Sequence, residues 1–136
     1  MKETIIDLIL HGEPVGGSRY RGHGIDDPLS EKGWQQMWES VGEHSDWSRI
    51  ISSPLLRCAD FAKQLGESRK LPVTINDNLK EIGFGTWEGK TKAQLREERL
   101  VEFDAFYRDP VANTPENAEN VMDFHTRIGA VFEDLR

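Results

Sequence analysis

The sequence predicts a single α/β domain built on a mostly parallel sheet, and three observations support this prediction. Apolar runs at residues 5–10, 50–51 and 72–75 have the composition of short buried strands. Apolar residues at helical spacing follow these runs, so strand and helix signals alternate along the chain. The 136 residues, of which 37% are hydrophobic, suffice for one core and are too few for two. We therefore expect one domain over residues 1–136.

The first strand is expected at residues 5–10, and it ends at the pair His11-Gly12. Ligands of parallel α/β sheets bind beyond the carboxyl ends of the strands, so His11 is the first candidate for a reactive side chain. A histidine and glycine after a strand, considered alone, favour a structural histidine. The next segment, residues 12–28, is a long loop rich in glycine and arginine, and long ordered loops tend to be functional.

The first helix is expected to begin after Ser30, a residue type that commonly caps helices. Trp34, Met37, Trp38 and Val41 then recur at helical spacing. We interpret this stripe as core packing.

The second strand, at residues 50–51, leads into a second predicted helix. Ser53 is expected to cap that helix, with Pro54 in its first turn and Gly66 at its end. Cys58 lies among apolar residues of this helix, so we interpret it as a small core residue. Since it is the single cysteine, no disulfide within the chain is possible.

The third strand, at residues 72–75, precedes an irregular segment punctuated by glycines, in which Trp87 is expected to pack as a wedge. Thr91 predicts the cap of a further helix, interrupted or ended before Asp109-Pro110. Apolar residues at helical spacing between positions 121 and 135 predict a last amphipathic helix.

Three candidate functional residues follow the predicted strands: His11, Arg57 and Glu81. One crevice at the carboxyl edge of the sheet is therefore expected to hold all three. Transfer of a phosphoryl group needs a nucleophile, positive charge on the equatorial oxygens and an acid for the leaving group. A neutral His11, held by the turn at Gly12, can attack phosphorus. Arg57 at a helix N-terminus can bind two phosphate oxygens, and Glu81 can supply the proton.

Three segments carry a family resemblance: Asp-Leu-Ile-Leu-His-Gly-Glu at 7–13, Ser-Ser-Pro-Leu-Leu-Arg at 52–57, and Leu-Lys-Glu-Ile-Gly-Phe-Gly-Thr-Trp-Glu-Gly at 79–89. In this order they resemble the histidine phosphatase superfamily. The segments at 16–22 and 27–30 look most like its alpha-ribazole phosphatase branch. The resemblance covers essentially the whole chain. It implies a three-layer α/β/α, phosphoglycerate-mutase-like fold.

The resemblance also implies roles for individual residues. His11 would be the nucleophile that forms a phosphohistidine, Arg57 a phosphate clamp and Glu81 the general acid of an alpha-ribazole-5'-phosphate phosphatase. Arg19 and Arg21 lie where relatives place loop residues that contact the substrate, and the sequence leaves open which of them points inward. No cofactor is expected.

Two departures from the family pattern lower the expected activity. Leu10 stands where relatives have an arginine that is a second phosphate clamp. Loss of such a donor costs about 3 kcal/mol of transition-state stabilisation, roughly a hundredfold in rate. The chain ends at Arg136, before the strand that carries a second histidine in relatives and lies between the first two strands. The resemblance therefore implies a sheet incomplete at the C-terminus, and turnover that is weak or absent.

Two alternatives to catalysis follow from these departures. The chain can be a catalytically silent protein that binds a phosphorylated ligand through Arg57 and the loop with Arg19 and Arg21. It can also be an assembly protein, because an incomplete sheet exposes unpaired backbone that invites pairing with another copy of the chain.

The net charge of −7 argues against nucleic acid or an anionic membrane as a partner. A local arginine cluster can still attract a small phosphate monoester. No residues have metal-ligand spacing, so no metal is predicted. Because Asp7 interrupts a short N-terminal apolar run, we expect neither a signal segment nor a transmembrane segment, and a cytoplasmic protein.

Overall fold

The computed structural model of the chain describes residues 3–136, which form helices and a small parallel sheet. The helices are α1 (Glu31–Val41), α2 (Leu56–Arg69), α3 (Lys92–Glu98), α4 (Leu100–Arg108) and α5 (Val121–Asp134), and the strands are β1 (Ile50–Ser52) and β2 (Val73–Ile75). Single turns of 3-10 helix at Asp77–Leu79 and Gly85–Trp87 lie between β2 and α3. The predicted α/β class is confirmed.

The sheet pairs β1 with β2 in parallel, so that Ile50 lies opposite Val73 and Ser52 opposite Ile75. The connection between them is α2, which packs closely on β2. A Cβ atom added to Gly66 would lie 2.4 Å from the Cγ2 atom of Val73. Gly66 therefore permits a close approach of helix to strand, and the prediction that it ends α2 is wrong. The helix continues to Arg69 and ends at Lys70, which has a positive φ of 57°.

The predicted start of α2 is also wrong, because the helix begins at Leu56. The Ser53 hydroxyl accepts the amide of Leu55, 3.2 Å away, and so lies before the helix. The amide of Leu56 donates to the Asp26 carboxylate at 2.7 Å. A carboxylate from the long loop therefore binds the helix N-terminus, and the local sequence did not predict this contact.

The predicted first strand is not observed. Within the described residues 3–136, residues 5–10 pair with no strand and make no backbone–backbone hydrogen bond. Ile5, Leu8 and Leu10 are 78%, 81% and 83% exposed. A cavity of about 250 Å³, lined by Ile9 and Ile51 among others, lies between this segment and β1. The two backbones therefore do not lie side by side, and an apolar run forms a strand only beside another backbone.

A first core joins α1, α2 and β1. Met37 and Val41 of α1 are buried against Phe61 and Leu65 of α2. Trp38 packs edge-on against Phe61, with ring centroids 4.9 Å apart. The predicted stripe of α1 is therefore confirmed as core packing. The predicted cap is confirmed too, because the Ser30 hydroxyl accepts the amide of Gly33 at 3.0 Å.

A second core lies under the segment that follows β2. Trp87 and Leu95 are fully buried, and Phe103 packs with them. The interpretation of Trp87 as a wedge is confirmed. Thr91 caps α3 as predicted, in a capping box with Gln94. The break at residue 109 is also confirmed, since α4 ends at Arg108.

Candidate active site

The ring of His11 is half-buried and is held by the backbone beside it. Its Nδ1 atom lies 2.8 Å from the carbonyl oxygen of Gly12. A carbonyl oxygen only accepts hydrogen bonds, so Nδ1 carries the proton in this contact. In the neutral ring, Nε2 is then the unprotonated nitrogen. The neutral ring in this geometry presents a nucleophilic lone pair on Nε2.

Gly12 brings this turn against the first turn of α1. A Cβ atom at Gly12 would lie 2.3 Å from the carbonyl oxygen of Gly33, and one at Gly33 would lie 2.2 Å from that of Glu13. The two glycines therefore permit a backbone contact that no larger residue allows. The adjacent amide of Glu13 donates to the Gln36 side chain at 2.9 Å. His11 is consequently placed at the edge of α1.

A cleft of about 430 Å³ opens beside His11. Its walls come from the His11-Gly12 turn, from the glycine-rich loop and from α1. The lining includes His11, Gly12, Arg19, Arg21 and Lys32, together with Glu13, whose carboxylate lies 3.4 Å from the Lys32 ammonium. The cleft therefore combines a candidate nucleophile with positively charged side chains, a combination that suits a phosphate ester.

The two loop arginines differ sharply in how their donors are used. Arg21 is 6% exposed and donates to the Asp27 carboxylate at 2.9 Å. It also donates to the carbonyl oxygens of Val15 and Gly17 at 2.9 and 2.7 Å. Arg19 is exposed, and its described bond is to the carbonyl oxygen of Gly16 at 3.0 Å. Arg21 therefore organises the loop, whereas Arg19 is the arginine with donors available to a ligand.

Tyr20 anchors the same loop to the second core. Its ring packs edge-on against Phe84 and Trp87, with centroids 5.0 and 5.5 Å away. Its hydroxyl forms a hydrogen bond with that of Tyr107. Burial, reinforced by this bond, raises the pKa of Tyr20, so the hydroxyl stays protonated. The loop that carries Arg19 is therefore fixed at its centre.

Arg57 lies in the first turn of α2 and is 2% exposed. Its Nη1 atom donates to the carbonyl oxygen of Ile25 at 3.1 Å, and its Nη2 atom to that of Gly22 at 2.8 Å. Arg57 thus holds the end of the glycine-rich loop. The role as a phosphate clamp stays a prediction that rests on its remaining N–H groups.

Burial and neighbouring charges determine the protonation state of the Cys58 thiol. Burial raises the pKa of the Cys58 thiol, Arg57 opposes the rise, and the negative charges of Glu81 and Asp26 add to it. The thiol therefore lies within the electrostatic reach of all three side chains. It is protonated and half-buried, which suits a structural residue rather than a nucleophile.

Glu81 lies between the two 3-10 turns. One carboxylate oxygen, Oε1, accepts the amide of Ile82 at 2.8 Å. Its carbonyl oxygen accepts from Nδ1 of His23 at 3.1 Å and from Nη2 of Arg127 at 3.1 Å. The backbone of Glu81 is consequently fixed by side chains from two distant parts of the chain.

Glu88 and Arg127 are among the charged residues with clear structural contacts that were not identified from the sequence. The carboxylate of Glu88 accepts the amides of Gly24, Phe84 and Gly85 at 3.1, 3.0 and 3.2 Å, so it ties the long loop to the Glu81 segment. Arg127 is the second, and a signal for it existed. It lies three residues after Phe124 within the apolar stripe of α5, where an unpaired charge would be unfavourable.

The structure therefore divides the predicted site residues into two groups. His11, Gly12, Arg19 and Arg21 line the cleft. Arg57 and Glu81 are not among the residues that line the cleft. Cys58 and His11 both line the 250 Å³ cavity between residues 5–10 and β1. Within residues 3–136, no three metal-ligating side chains lie together in an arrangement that could hold a metal ion.

No helix in the described part of the chain has the length and apolar character needed to cross a membrane.

Residues 6–136 match the family model of the histidine phosphatase superfamily (branch 1). The chain is 39% identical over 144 residues to a glucosyl-3-phosphoglycerate phosphatase of Mycobacterium tuberculosis, covering 99% of this chain and 61% of the relative. It is 30% identical over 125 residues to an adenosylcobalamin/alpha-ribazole phosphatase of Salmonella typhimurium, covering 89% and 61%.

A solved structure of the mycobacterial glucosyl-3-phosphoglycerate phosphatase with VO3 is similar to this chain, with a TM-score of 0.79 and 32% identity, covering 92% of this chain and 61% of that one. The curated relatives are longer than this chain. It spans 35% of a bifunctional protein of Mycobacterium tuberculosis that it matches, and 61% of the two relatives above.

Proposed function

Because the chain belongs to the histidine phosphatase superfamily (branch 1), we propose that it is a slow phosphomonoesterase that works through a phosphohistidine at His11. The observation that carries the proposal is the contact of His11 Nδ1 with the carbonyl oxygen of Gly12, 2.8 Å away, since it leaves Nε2 as the attacking atom. The nearby Arg19 supplies positive charge in the same cleft.

In the proposed first step, Nε2 of His11 forms a bond to phosphorus while the bond from phosphorus to the ester oxygen breaks. Glu81 transfers a proton to the departing oxygen, which leaves as an alcohol. In the second step, water attacks the phosphohistidine, Glu81 takes up a proton from the water, and inorganic phosphate and His11 are released. One water molecule is consumed for each ester.

The equatorial oxygens of the phosphate need positive charge in both steps. In this proposal Arg19 provides it from the wall of the cleft, and Arg57, buried outside the cleft lining, adds its charge from the first turn of α2. Leu10 cannot, and its side chain is 83% exposed beside His11. The missing donor is expected to cost about 3 kcal/mol, roughly a hundredfold in rate, which is why we propose slow turnover.

We propose a small ester of the alpha-ribazole-5'-phosphate type as the substrate, with no nucleic acid or membrane partner. Support comes from the loop at residues 16–22 and from the similarity to an adenosylcobalamin/alpha-ribazole phosphatase. Other relatives are named for phosphoserine and glucosyl-3-phosphoglycerate. The test compares kcat/KM for these three esters, and the proposal predicts the highest value for alpha-ribazole-5'-phosphate. A higher value for either other ester would contradict that choice.

The first test of catalysis is hydrolysis of 4-nitrophenyl phosphate by the unmodified chain and by its His11→Ala variant. His125→Ala is the matched control, because His125 is an exposed histidine on α5. We expect turnover that His11→Ala abolishes and His125→Ala retains, with circular dichroism to show that all three proteins are folded. Equal turnover in the His11→Ala variant, or no turnover by the folded chain, would contradict the proposal.

A second candidate function is assembly with another copy of the chain, and one observation favours it. Ile5, Leu8 and Leu10 expose aliphatic side chains on a segment whose backbone has no described pairing. Such a segment is a ready edge for pairing with a second chain. Light scattering is expected to show a dimer that Leu8→Asp dissociates. A monomer at high protein concentration would contradict this function.

A further inference from the structure

Arg127 on α5 uses all five of its N–H donors on groups around Glu81. Its Nη1 atom donates to the carbonyl oxygens of Asn78 and Lys80 at 2.6 and 2.7 Å. Its Nη2 atom donates to the carbonyl oxygen of Glu81 at 3.1 Å. The remaining donors bind the Glu119 carboxylate, from Nε at 2.7 Å and from Nη2 at 2.8 Å. A single guanidinium therefore joins the backbone before Glu81 to a carboxylate.

Glu119 extends this contact to the other side of Glu81. Its Oε1 atom accepts the amide of Gly83 at 3.2 Å, and its own amide donates to the carbonyl oxygen of Gly83 at 2.9 Å. The Arg127 and Glu119 side chains are 19% and 18% exposed. The hydrogen bond from Arg127 lowers the pKa of Glu119, which keeps the carboxylate charged. Together the pair holds the chain both before and after Glu81.

The carboxylate of Glu81 depends directly on this backbone. It folds back onto the amide of Ile82, the residue between the two contact points of the pair. A rotation of the peptide between Glu81 and Ile82 would therefore move the carboxylate as well.

We propose that Arg127 is a positioning residue for Glu81: it fixes the backbone from which the acid reaches the ester oxygen. The inference rests on the proposed function, in which Glu81 protonates the leaving group. Lysine cannot replace this arginine, because an ammonium has three donors and no planar fork. Arg127→Lys keeps the positive charge and removes the planar set of five donors, so its effect measures the positioning role.

The kinetic test uses two esters with different needs for an acid. 4-Nitrophenyl phosphate releases 4-nitrophenolate, which is stable without a proton, whereas glycerol 1-phosphate releases a glycerol alkoxide that needs one. We expect Glu81→Gln and Arg127→Lys to lower kcat/KM for both esters unequally. The ratio of kcat/KM for the glycerol ester to that for the aryl ester should fall about tenfold or more. A loss caused only by instability would lower both esters alike, and that result would overturn the proposal.

The matched control is Arg69→Lys. Arg69 also donates to two backbone carbonyls, those of Gly42 and His44 at 2.7 and 3.2 Å, but no proposed site residue lies there. We expect this variant to keep the ratio of the two kcat/KM values.

A second measurement decides the proposal even if the chain hydrolyses nothing. Amide hydrogen exchange of Ile82, followed by NMR, is expected to speed up at least tenfold in Arg127→Lys and to stay unchanged in Arg69→Lys. Unchanged protection of Ile82 in Arg127→Lys would overturn the positioning role. If protection is lost but His11-dependent turnover is absent, the proposed function fails and the positioning of Glu81 stands.

Discussion

The two halves of the proposed site are held in very different ways. The nucleophile segment, residues 3–12, has one described side-chain anchor before His11, the Asp7 carboxylate that accepts from Trp47 at 2.7 Å. The acid segment, residues 78–89, is held by Arg127 and Glu119, is tied internally and to Gly24 by its own Glu88, and contains the fully buried Trp87. Partly buried charged groups therefore fix the acid at several points, whereas the nucleophile is oriented mainly by the turn at Gly12.

The largest expected effect breaks the support of the acid segment. Trp87→Ala should lower the free energy of unfolding by about 3–5 kcal/mol, because Trp87 is fully buried and nothing fills its space. Trp47→Ala, beside the nucleophile segment, should cost less than half as much, because Trp47 is half-buried. Urea denaturation measures both. Equal losses would show that the two segments are supported alike.

Next in size is a gain of function in the nucleophile segment. Leu10→Arg should raise His11-dependent kcat/KM roughly a hundredfold, about 3 kcal/mol, because it restores a cation beside the phosphate. The control is Leu8→Arg, since Leu8 is equally exposed but lies further from His11 in the chain. If both substitutions have the same effect, general charge rather than a specific clamp accounts for the activity.

A smaller effect concerns the acid segment and pH. The pKa of Glu119 is lowered from its usual 4.5, chiefly by the hydrogen bond from Arg127, so the stabilisation it contributes is present above pH 4.5. That stabilisation is lost as the pH falls through the lower pKa of the folded state. Glu119→Gln should lower stability at pH 7 by about 1–2 kcal/mol and flatten this acid dependence. Urea midpoints between pH 3 and pH 7 test this, and parallel curves for the two proteins would contradict it.

The smallest expected effect is a change in stability caused by a substitution in the nucleophile segment. Asp7→Asn should change stability by less than about 0.5 kcal/mol, because the amide oxygen still accepts from Trp47 and the pair with His44, 3.8 Å apart, is exposed. Thermal unfolding measures the change. A loss above about 1 kcal/mol would show that the charge of Asp7 stabilises the nucleophile segment.

The sequence predicted the α/β class, the stripe of α1, the wedge at Trp87 and the family, because each depends on local periodicity or on short motifs. It did not predict the unpaired state of residues 5–10, because pairing depends on which backbone lies alongside. It left open whether Arg19 or Arg21 faces the ligand, since that depends on the distant Asp27 carboxylate. The contacts of Glu88 with Gly24 and of Arg127 with residues 78–81 join positions far apart in the chain, and the charge in the apolar stripe of α5 indicates a partner for Arg127 without identifying it.

The most direct test of the account is to trap the phosphoenzyme. The chain is mixed with 4-nitrophenyl phosphate, quenched in alkali and analysed by peptide mass spectrometry. The account predicts an alkali-stable, acid-labile phosphate on Nε2 of His11, absent from the His11→Ala variant. Turnover with no phosphate on His11, or with phosphate on another residue, would contradict it.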